Sequence, residues 1–433
     1  MDREMQQIPT DIPTLGTPKV DSPLSVGNFT SDDERVLYDV IVHKGQKQAD
    51  GELLSFERAG PREKIYFDAS KVKCGIVTCG GLCPGLNAVI RSLVMTLHYH
   101  YWVRKIVGVR YGLQGFIAKY GHEFIKLVPD EVKDIHKDGG TILGSSRGEQ
   151  PFDQIVDSLE QNEINILFMI GGDGTVRATN AIFQEVQKRG LKKSVIAIPK
   201  TIDNDIFLVS RSFGFETAVE LANQACESAH TEAIGAPNGI GLVRVMGRHS
   251  GYIAASAALA SKDANVVLVP EEDFELEGER GVLQFLHNRI KTRGHALIVV
   301  AEGAGQKYFT GEKGTDASGN PRFGNIGLFL CDQIREYFKK QRMPVNLKYI
   351  DPSYIIRSVP AIADDNILCG YFGQNAVHAA MAGKTGMLVS TWNEKFIHVP
   401  FEAVVNKTKR IRLDSSLWNS VIETTGQPRF AKL

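Results

Sequence analysis

A chain of 433 residues, 43% hydrophobic and 23% charged, is long enough for two or three structural units and has an ordinary globular composition. Its 50 basic and 50 acidic side chains give a formal net charge of +0, which leaves no electrostatic footprint for nucleic acid or an anionic membrane. No apolar run reaches the roughly 18 residues that span a bilayer, and the start of the chain, with Asp2 and Glu4, lacks the apolar core of a signal peptide. The 6 cysteines are scattered without zinc-site spacing, so they read as reduced structural thiols of an intracellular protein.

Residues 1 to about 70 read as an extension, broken by Pro9, Pro13, Pro18 and Pro23. A short helix is predicted near Asp32 to Val42, capped by Ser31 or Asp32. The first strand, Lys73 to Cys79, runs into Gly80-Gly81-Leu82-Cys83-Pro84-Gly85-Leu86-Asn87 and a helix from Ala88 to about His100. A strand, a glycine turn and a helix start make a phosphate cradle, because free N–H groups and the helix dipole face the ligand. Such a turn also serves tight packing alone, and it is neither a P-loop nor a dinucleotide fingerprint. A strand over Lys105 to Val109 precedes the glycine- and hydroxyl-rich loop Gly139 to Gly148. Its Arg147 suits phosphate contact or is a plain surface arginine. A helix over Asp153 to Gln161 and a strand over Ile164 to Ile170 lead to Gly171-Gly172-Asp173-Gly174-Thr175. The next helix, Val176 to Arg189, stops at Gly190. The strand Ser194 to Ile198 then delivers Lys200-Thr201-Ile202-Asp203-Asn204-Asp205.

The alternation continues with a helix over Glu216 to Thr231 and a strand over Gly239 to Val245, ending in Met246-Gly247-Arg248. A helix over Tyr252 to Ser261, a strand over Asn265 to Val269 and a helix over Gly281 to Thr292 follow. The strand His295 to Val300 ends at Glu302. Lys307 to Arg322 reads as a mobile polar loop, and helices over Asn325 to Lys340 and Asp364 to Met381 precede a last strand, Gly386 to Ser390. Gly383 reads as a helix stop. Strand, helix and strand in repetition predict doubly wound parallel sheets, with ligands at the C-terminal ends of the strands. Two acidic turns at those ends suggest phosphate and Mg²⁺ chemistry.

Taken together, the chain resembles the phosphofructokinase family from about residue 70 to 430. The resemblance is carried by Gly80 to Asn87, Gly139 to Arg147, Gly172 to Thr175, Pro199 to Asp205, Met246-Gly247-Arg248 and Glu302-Gly303. Tyr354-Ile355-Ile356-Arg357 is similar to the plant and protist branch. It implies an α/β fold of two Rossmann-like, doubly wound domains with the active site in the cleft between them. The expected nucleotide-binding domain is 71–214 with about 358–398, and the fructose 6-phosphate-binding domain is 215–357 with about 399–430. The implied reaction is the committed step of glycolysis. The γ-phosphate of ATP passes to the 1-hydroxyl of fructose 6-phosphate with Mg²⁺ as cofactor.

Roles follow from the same resemblance. Asp203 would be the general base, which an alcohol nucleophile needs at neutral pH as the O–P bond forms. Asp205 would support it, and Asp173 would hold the metal. Arg147 and Arg248 would stabilise charge on the phosphoryl group. Gly80, Gly81, Arg147, Gly148 and the turn Gly172, Asp173, Gly174, Thr175 would hold the nucleotide. Thr201, Ile202, Asp203, Met246, Gly247, Arg248, Glu302, Lys348, Tyr354 and Arg357 would hold the sugar phosphate. A homotetramer is implied, with a dimer as the alternative.

Two departures bear on these roles. Bacterial members carry an arginine near position 239, where Gly239 stands, so substrate contact across subunits is not implied by that position. The donor signals also differ. Gly174 matches ATP users, because an aspartate there would fill the α-phosphate space, whereas Lys200 matches pyrophosphate users. The steric argument outweighs an added contact, and ATP is expected. A lipid or nicotinamide-nucleotide kinase shares the Gly-Gly-Asp-Gly-Thr turn but not the Asp203/Asp205 pair with Met246-Gly247-Arg248. A non-catalytic regulatory subunit would be expected to lack Asp173 or Asp203. The terminal Ala431-Lys432-Leu433 resembles the Ser-Lys-Leu import signal. The expectation is therefore a cytoplasmic protein, with import into a peroxisome- or glycosome-type organelle as the alternative.

Overall fold

The computed structural model describes residues 8–41, 53–310, 314 and 322–430. The chain divides into two compact units. The first comprises Met1–Thr201, Ile206–Gly214 and Val359–Thr408, and the second Ile202–Asp205, Phe215–Ser358 and Lys409–Leu433.

The first unit holds a seven-stranded sheet. Its strands are β1 (Lys73–Thr78), β2 (Lys105–Val109), β3 (Ile125–Lys126), β4 (Ile166–Gly171), β5 (Ser194–Pro199), β10 (Met387–Trp392) and β11 (Lys395–Pro400). The spatial order is β11-β10-β5-β4-β1-β2-β3. The five inner strands run parallel, and β3 and β11 close the edges antiparallel. Every residue of β4 and β5 is buried, which is why these strands read as unbroken apolar runs rather than alternating ones. Helices α1 (Leu86–Met95), α2 (Phe152–Gln161), α3 (Asp173–Lys188) and α8 (Ala363–Met381) belong to this unit. Ile155, Leu159, Ile182 and Val186 from α2 and α3 join Leu167, Met169 and Val195 of the strands in one core.

The second unit holds a parallel four-stranded sheet built from β6 (Gly239–Val245), β7 (Val266–Leu268), β8 (His295–Ala301) and β9 (Asn346–Ile350), in the order β7-β8-β6-β9. Its helices are α4 (Phe215–Ile234), α5 (Tyr252–Ser261), α6 (Val282–Arg293), α7 (Ile326–Lys340) and α9 (Ser416–Thr425). Leu286, Ile290, Leu330 and Phe338 pack on Ile240, Leu242, Ile298 and Val300. Among the described residues, no helix is long and apolar enough to cross a membrane.

Several predicted features differ from the structure. The helix expected near Asp32 to Val42 does not form over the described part. Arg35–Leu37 is instead a short strand paired antiparallel with Ser55–Glu57, with Val36 opposite the buried Phe56. Cross-strand packing of a β-branched residue outweighs the capping signal at Ser31. The first unit runs on to Thr408, past the expected boundary near 398, because β11 folds back onto β10. Gly383 stops α8, with φ 82° and its N–H on the carbonyl of Ala380 at 2.9 Å. The loop predicted over Lys307 to Arg322 starts with a short 3₁₀ turn at Gln306–Tyr308, and its centre lies outside the described residues, as does Ala431-Lys432-Leu433.

The extension is anchored to the first unit by buried charge. Glu57 accepts hydrogen bonds from Arg62 (2.9 Å), Lys384 (3.1 Å) and Nδ1 of His398 (2.9 Å). Asp32 accepts from Arg62 at 2.7 Å and Lys384 at 2.9 Å. Burial works against the Glu57 carboxylate, yet the His398 hydrogen bond and the cations hold its pKa down at about 2. Burial pushes His398 below the usual histidine range, so the neutral imidazole donates here.

Candidate active site

In the first unit, β1 and β4 deliver two glycine turns to the C-terminal edge of the sheet. The chain leaves β1 through Gly80, at φ 83°. The Gly80 N–H donates to the Ser146 carbonyl (3.1 Å), and the Gly80 carbonyl accepts the Ser145 hydroxyl (2.7 Å). The glycine-rich loop is thereby laced to the first turn, and Arg147 and Gly148 follow it into solvent.

Helix α3 starts at Asp173, earlier than the expected Val176, with Gly172 as its N-cap. Asp173, Gly174 and Thr175 therefore fill its first turn, where the helix dipole favours anions, and the Thr175 N–H closes the turn on the Gly172 carbonyl at 2.8 Å. The Asp173 carboxylate accepts a 2.6 Å hydrogen bond from Arg177, one turn on. A Cβ built on the exposed Gly174 would meet only Nη2 of Arg177, at 3.7 Å. Among the described residues, no group of three or more His, Cys, Asp or Glu side chains is placed to hold a metal. The single carboxylate of Asp173 at a helix head nevertheless fits Mg²⁺, an ion commonly held by one or two carboxylates together with ligand phosphates.

Lys200 links the two turns. Its N–H donates to the Gly171 carbonyl (2.9 Å), and its buried ammonium donates to the Gly81 carbonyl (2.6 Å). The next residue, Thr201, accepts the Ser212 hydroxyl on its carbonyl (2.7 Å). Cys79 beside this turn is buried, and burial pushes its thiol up to about 12, so it is inert at neutral pH.

In the second unit, the acidic residues sit in the turn Ile202–Asp205. Asn204 takes the left-handed conformation at φ 51°, and Ile202 is buried. The Asp203 carbonyl accepts the buried Ser250 hydroxyl at 3.0 Å. Ser250 follows Met246-Gly247-Arg248 at the end of β6. Gly247 stands at φ 128°, and a Cβ there would lie 2.5 Å from the Ser250 carbonyl. A Cβ on Gly303 would lie 2.0 Å from the Arg248 carbonyl, and the Gly303 N–H donates to the Gly247 carbonyl (3.1 Å). Two glycines thus let the ends of β6 and β8 meet, which sets Arg248 and Glu302 at one edge. The Arg248 guanidinium lies over the Phe323 ring, 4.2 Å from its centroid.

Arg244, which no motif marked, organises the acids at this edge. It binds Glu302 (2.9 Å) through one nitrogen and Asp351 (2.8 Å) through another. Burial raises the pKa of Glu302, opposed by Arg244, Arg248 and Arg357. Burial works the same way on Asp351, but hydrogen bonding from Ser353 and the charge of Arg244 leave it below the usual carboxylate range. The only advance signal for Arg244 was a charged residue inside the apolar run of β6. Tyr354 is exposed and its ring lies under the Arg357 guanidinium at 4.5 Å, on the 3₁₀ turn after β9. Lys348 is not brought to this group. It pairs with Gly241 in register, five residues before Met246, which is about 16 Å along a strand. Its ammonium faces Glu232 at 3.7 Å instead.

Glycine turns and carboxylates at the C-terminal ends of parallel strands define a phosphate-handling α/β protein. The chain belongs to the phosphofructokinase family, whose model matches residues 73–380. It is 50% identical over 433 residues to the ATP-dependent 6-phosphofructokinase of Borreliella burgdorferi, covering 96% of each chain. It is 46% identical over 426 residues to ATP-dependent 6-phosphofructokinase 7 of Arabidopsis thaliana, covering 97% of this chain and 86% of that one. The fold is also that of a solved pyrophosphate-dependent phosphofructokinase from Marinobacter aquaeolei, at a TM-score of 0.68 and 20% identity, over 83% of this chain and 92% of that one.

Proposed function

We propose that the chain is an ATP-dependent 6-phosphofructokinase, transferring the γ-phosphate of ATP to the 1-hydroxyl of fructose 6-phosphate. Gly81 and the head of α3 receive the nucleotide phosphates, and Gly80, whose N–H is held by the Ser146 carbonyl, shapes the turn beside them. Asp173 would hold Mg²⁺, and the ion would supply positive charge against the phosphates. Asp203 takes the hydroxyl proton as the sugar oxygen attacks the γ-phosphorus and ADP leaves. Arg147 and Arg248 neutralise charge on the moving phosphoryl group, while Glu302, Met246, Gly247, Thr201, Tyr354 and Arg357 orient the sugar phosphate.

The observation that carries the donor is the open, exposed Gly174 at the head of α3, with room for a nucleotide phosphate. Lys200 favours the second reading, pyrophosphate, but its ammonium has a structural duty at the Gly81 carbonyl. Turnover of fructose 6-phosphate with Mg²⁺ and either donor tests both. The expected result is fructose 1,6-bisphosphate formed with ATP at least tenfold faster than with pyrophosphate. The reverse preference sinks the donor assignment, and no product with either sinks the enzyme. A cytoplasmic homotetramer completes the reading, with a dimer as the alternative assembly and organelle import through Ala431-Lys432-Leu433 as the alternative location. Light scattering tests the assembly, and a fluorescent fusion with and without that tripeptide tests the import.

A further inference from the structure

Residues 409–411 cross the back of the acidic turn, outside the stretch that the family model matches. The Lys409 N–H donates to the Asp205 carbonyl at 2.8 Å. Its ammonium lies over the Tyr252 ring, 5.0 Å from the centroid. The Tyr252 hydroxyl in turn donates to the Arg410 carbonyl at 3.1 Å. Oε1 of Glu271 accepts both the Ile411 N–H (2.9 Å) and the Gly251 N–H at the start of α5 (3.0 Å). This segment staples one end of the acidic turn to the head of α5, while Ser250 holds the other end through the Asp203 carbonyl.

We propose that Lys409 is a positioning residue for phosphoryl transfer, fixing the Ile202–Asp205 turn so that Asp203 meets the acceptor hydroxyl. This rests on the kinase reading above. Backbone bonds alone would serve any residue at 409. The ammonium adds a charge for Asp205 and a contact for Tyr252, which ties the turn to α5 by side chain as well. Burial lowers the Lys409 pKa to about 7 against the pull of Asp205, so the staple weakens as pH rises through neutrality. The other ionisable group facing it is Tyr252, pushed up to about 12, while Glu271 and Arg410 belong to the same staple through the Ile411 N–H and the Tyr252 hydroxyl.

The test is steady-state kinetics with fructose 6-phosphate and ATP from about pH 6 to about pH 9, on wild type, Lys409→Met and Lys409→Arg. Lys409→Met is expected to lower kcat by about 10- to 100-fold, the usual cost of losing a supporting contact, with KM changed by less than about threefold. Lys409→Arg is expected to keep most of the kcat and to remove the decline that wild type shows above neutrality, because a guanidinium stays charged. Wild-type kcat in Lys409→Met, or the same pH profile in wild type and Lys409→Arg, overturns the proposal. If Lys409→Met does not fold, the arginine profile decides alone. Absence of turnover in wild type would instead strike the kinase reading.

Discussion

Replacing Gly174 by aspartate separates binding of the donor from stability of the fold. The added Cβ has only the flexible end of Arg177 nearby, at 3.7 Å, so the helix accepts it. An acid in a first helical turn stabilises by about 0.3–1 kcal/mol, so Tm should hold or rise slightly. Its cost falls on the ligand. A carboxylate about 5 Å from a nucleotide phosphate, at an effective dielectric near 20, repels each charge by about 3 kcal/mol. That corresponds to a loss of about 10²-fold in kcat/KM for ATP. Pyrophosphate has no α-phosphate to displace, so whatever rate it supports should fall by less than about tenfold. The assay is a coupled measurement of kcat/KM with each donor, beside a thermal melt of the same preparation. Equal losses with both donors, or a large drop in Tm, would refute the steric reasoning.

Asp203→Asn should cut kcat by about 10²–10⁴-fold with little change in KM, since a general base acts mainly in the transition state; near-normal turnover would remove Asp203 from that role. Glu57→Gln should destabilise by about 3–5 kcal/mol at pH 7, because Arg62 and Lys384 remain buried, and urea unfolding measures it. The folded pKa of Glu57, about 2, lies below the ordinary 4.5. Its stabilisation is therefore fully present above about pH 4.5 and is lost as pH falls toward 2. The gap between wild type and Glu57→Gln should narrow over that window, and a gap that stays constant would contradict the ion network.

The acidic turn and both glycine turns were legible because each sits just after an apolar run, where chain order alone puts it at a strand end. Arg244 was not, since its partners stand 58 and 107 residues away. Lys384, which only follows the helix stop at Gly383, meets Asp32 across 352 residues. The β10–β11 hairpin escaped for a local reason. Its two-residue turn, Asn393-Glu394, has φ 46° and 60°, a conformation usually announced by Asn-Gly. Missing that hairpin is what set the expected domain boundary too early.

The order of strands in the seven-stranded sheet also has a consequence for how the protein is made. β5 lies beside β10, with Ile196 opposite Met387, so the ribosome adds about 190 residues before that neighbour exists. Those residues include the whole sheet of the second unit. At about 5–20 residues per second, the buried, apolar edge of β5 waits on the order of 10–40 s without its partner strand. An unpaired apolar edge is a template for aggregation, and nascent chains stalled between Pro199 and Met387 should be the species that chaperones hold most tightly.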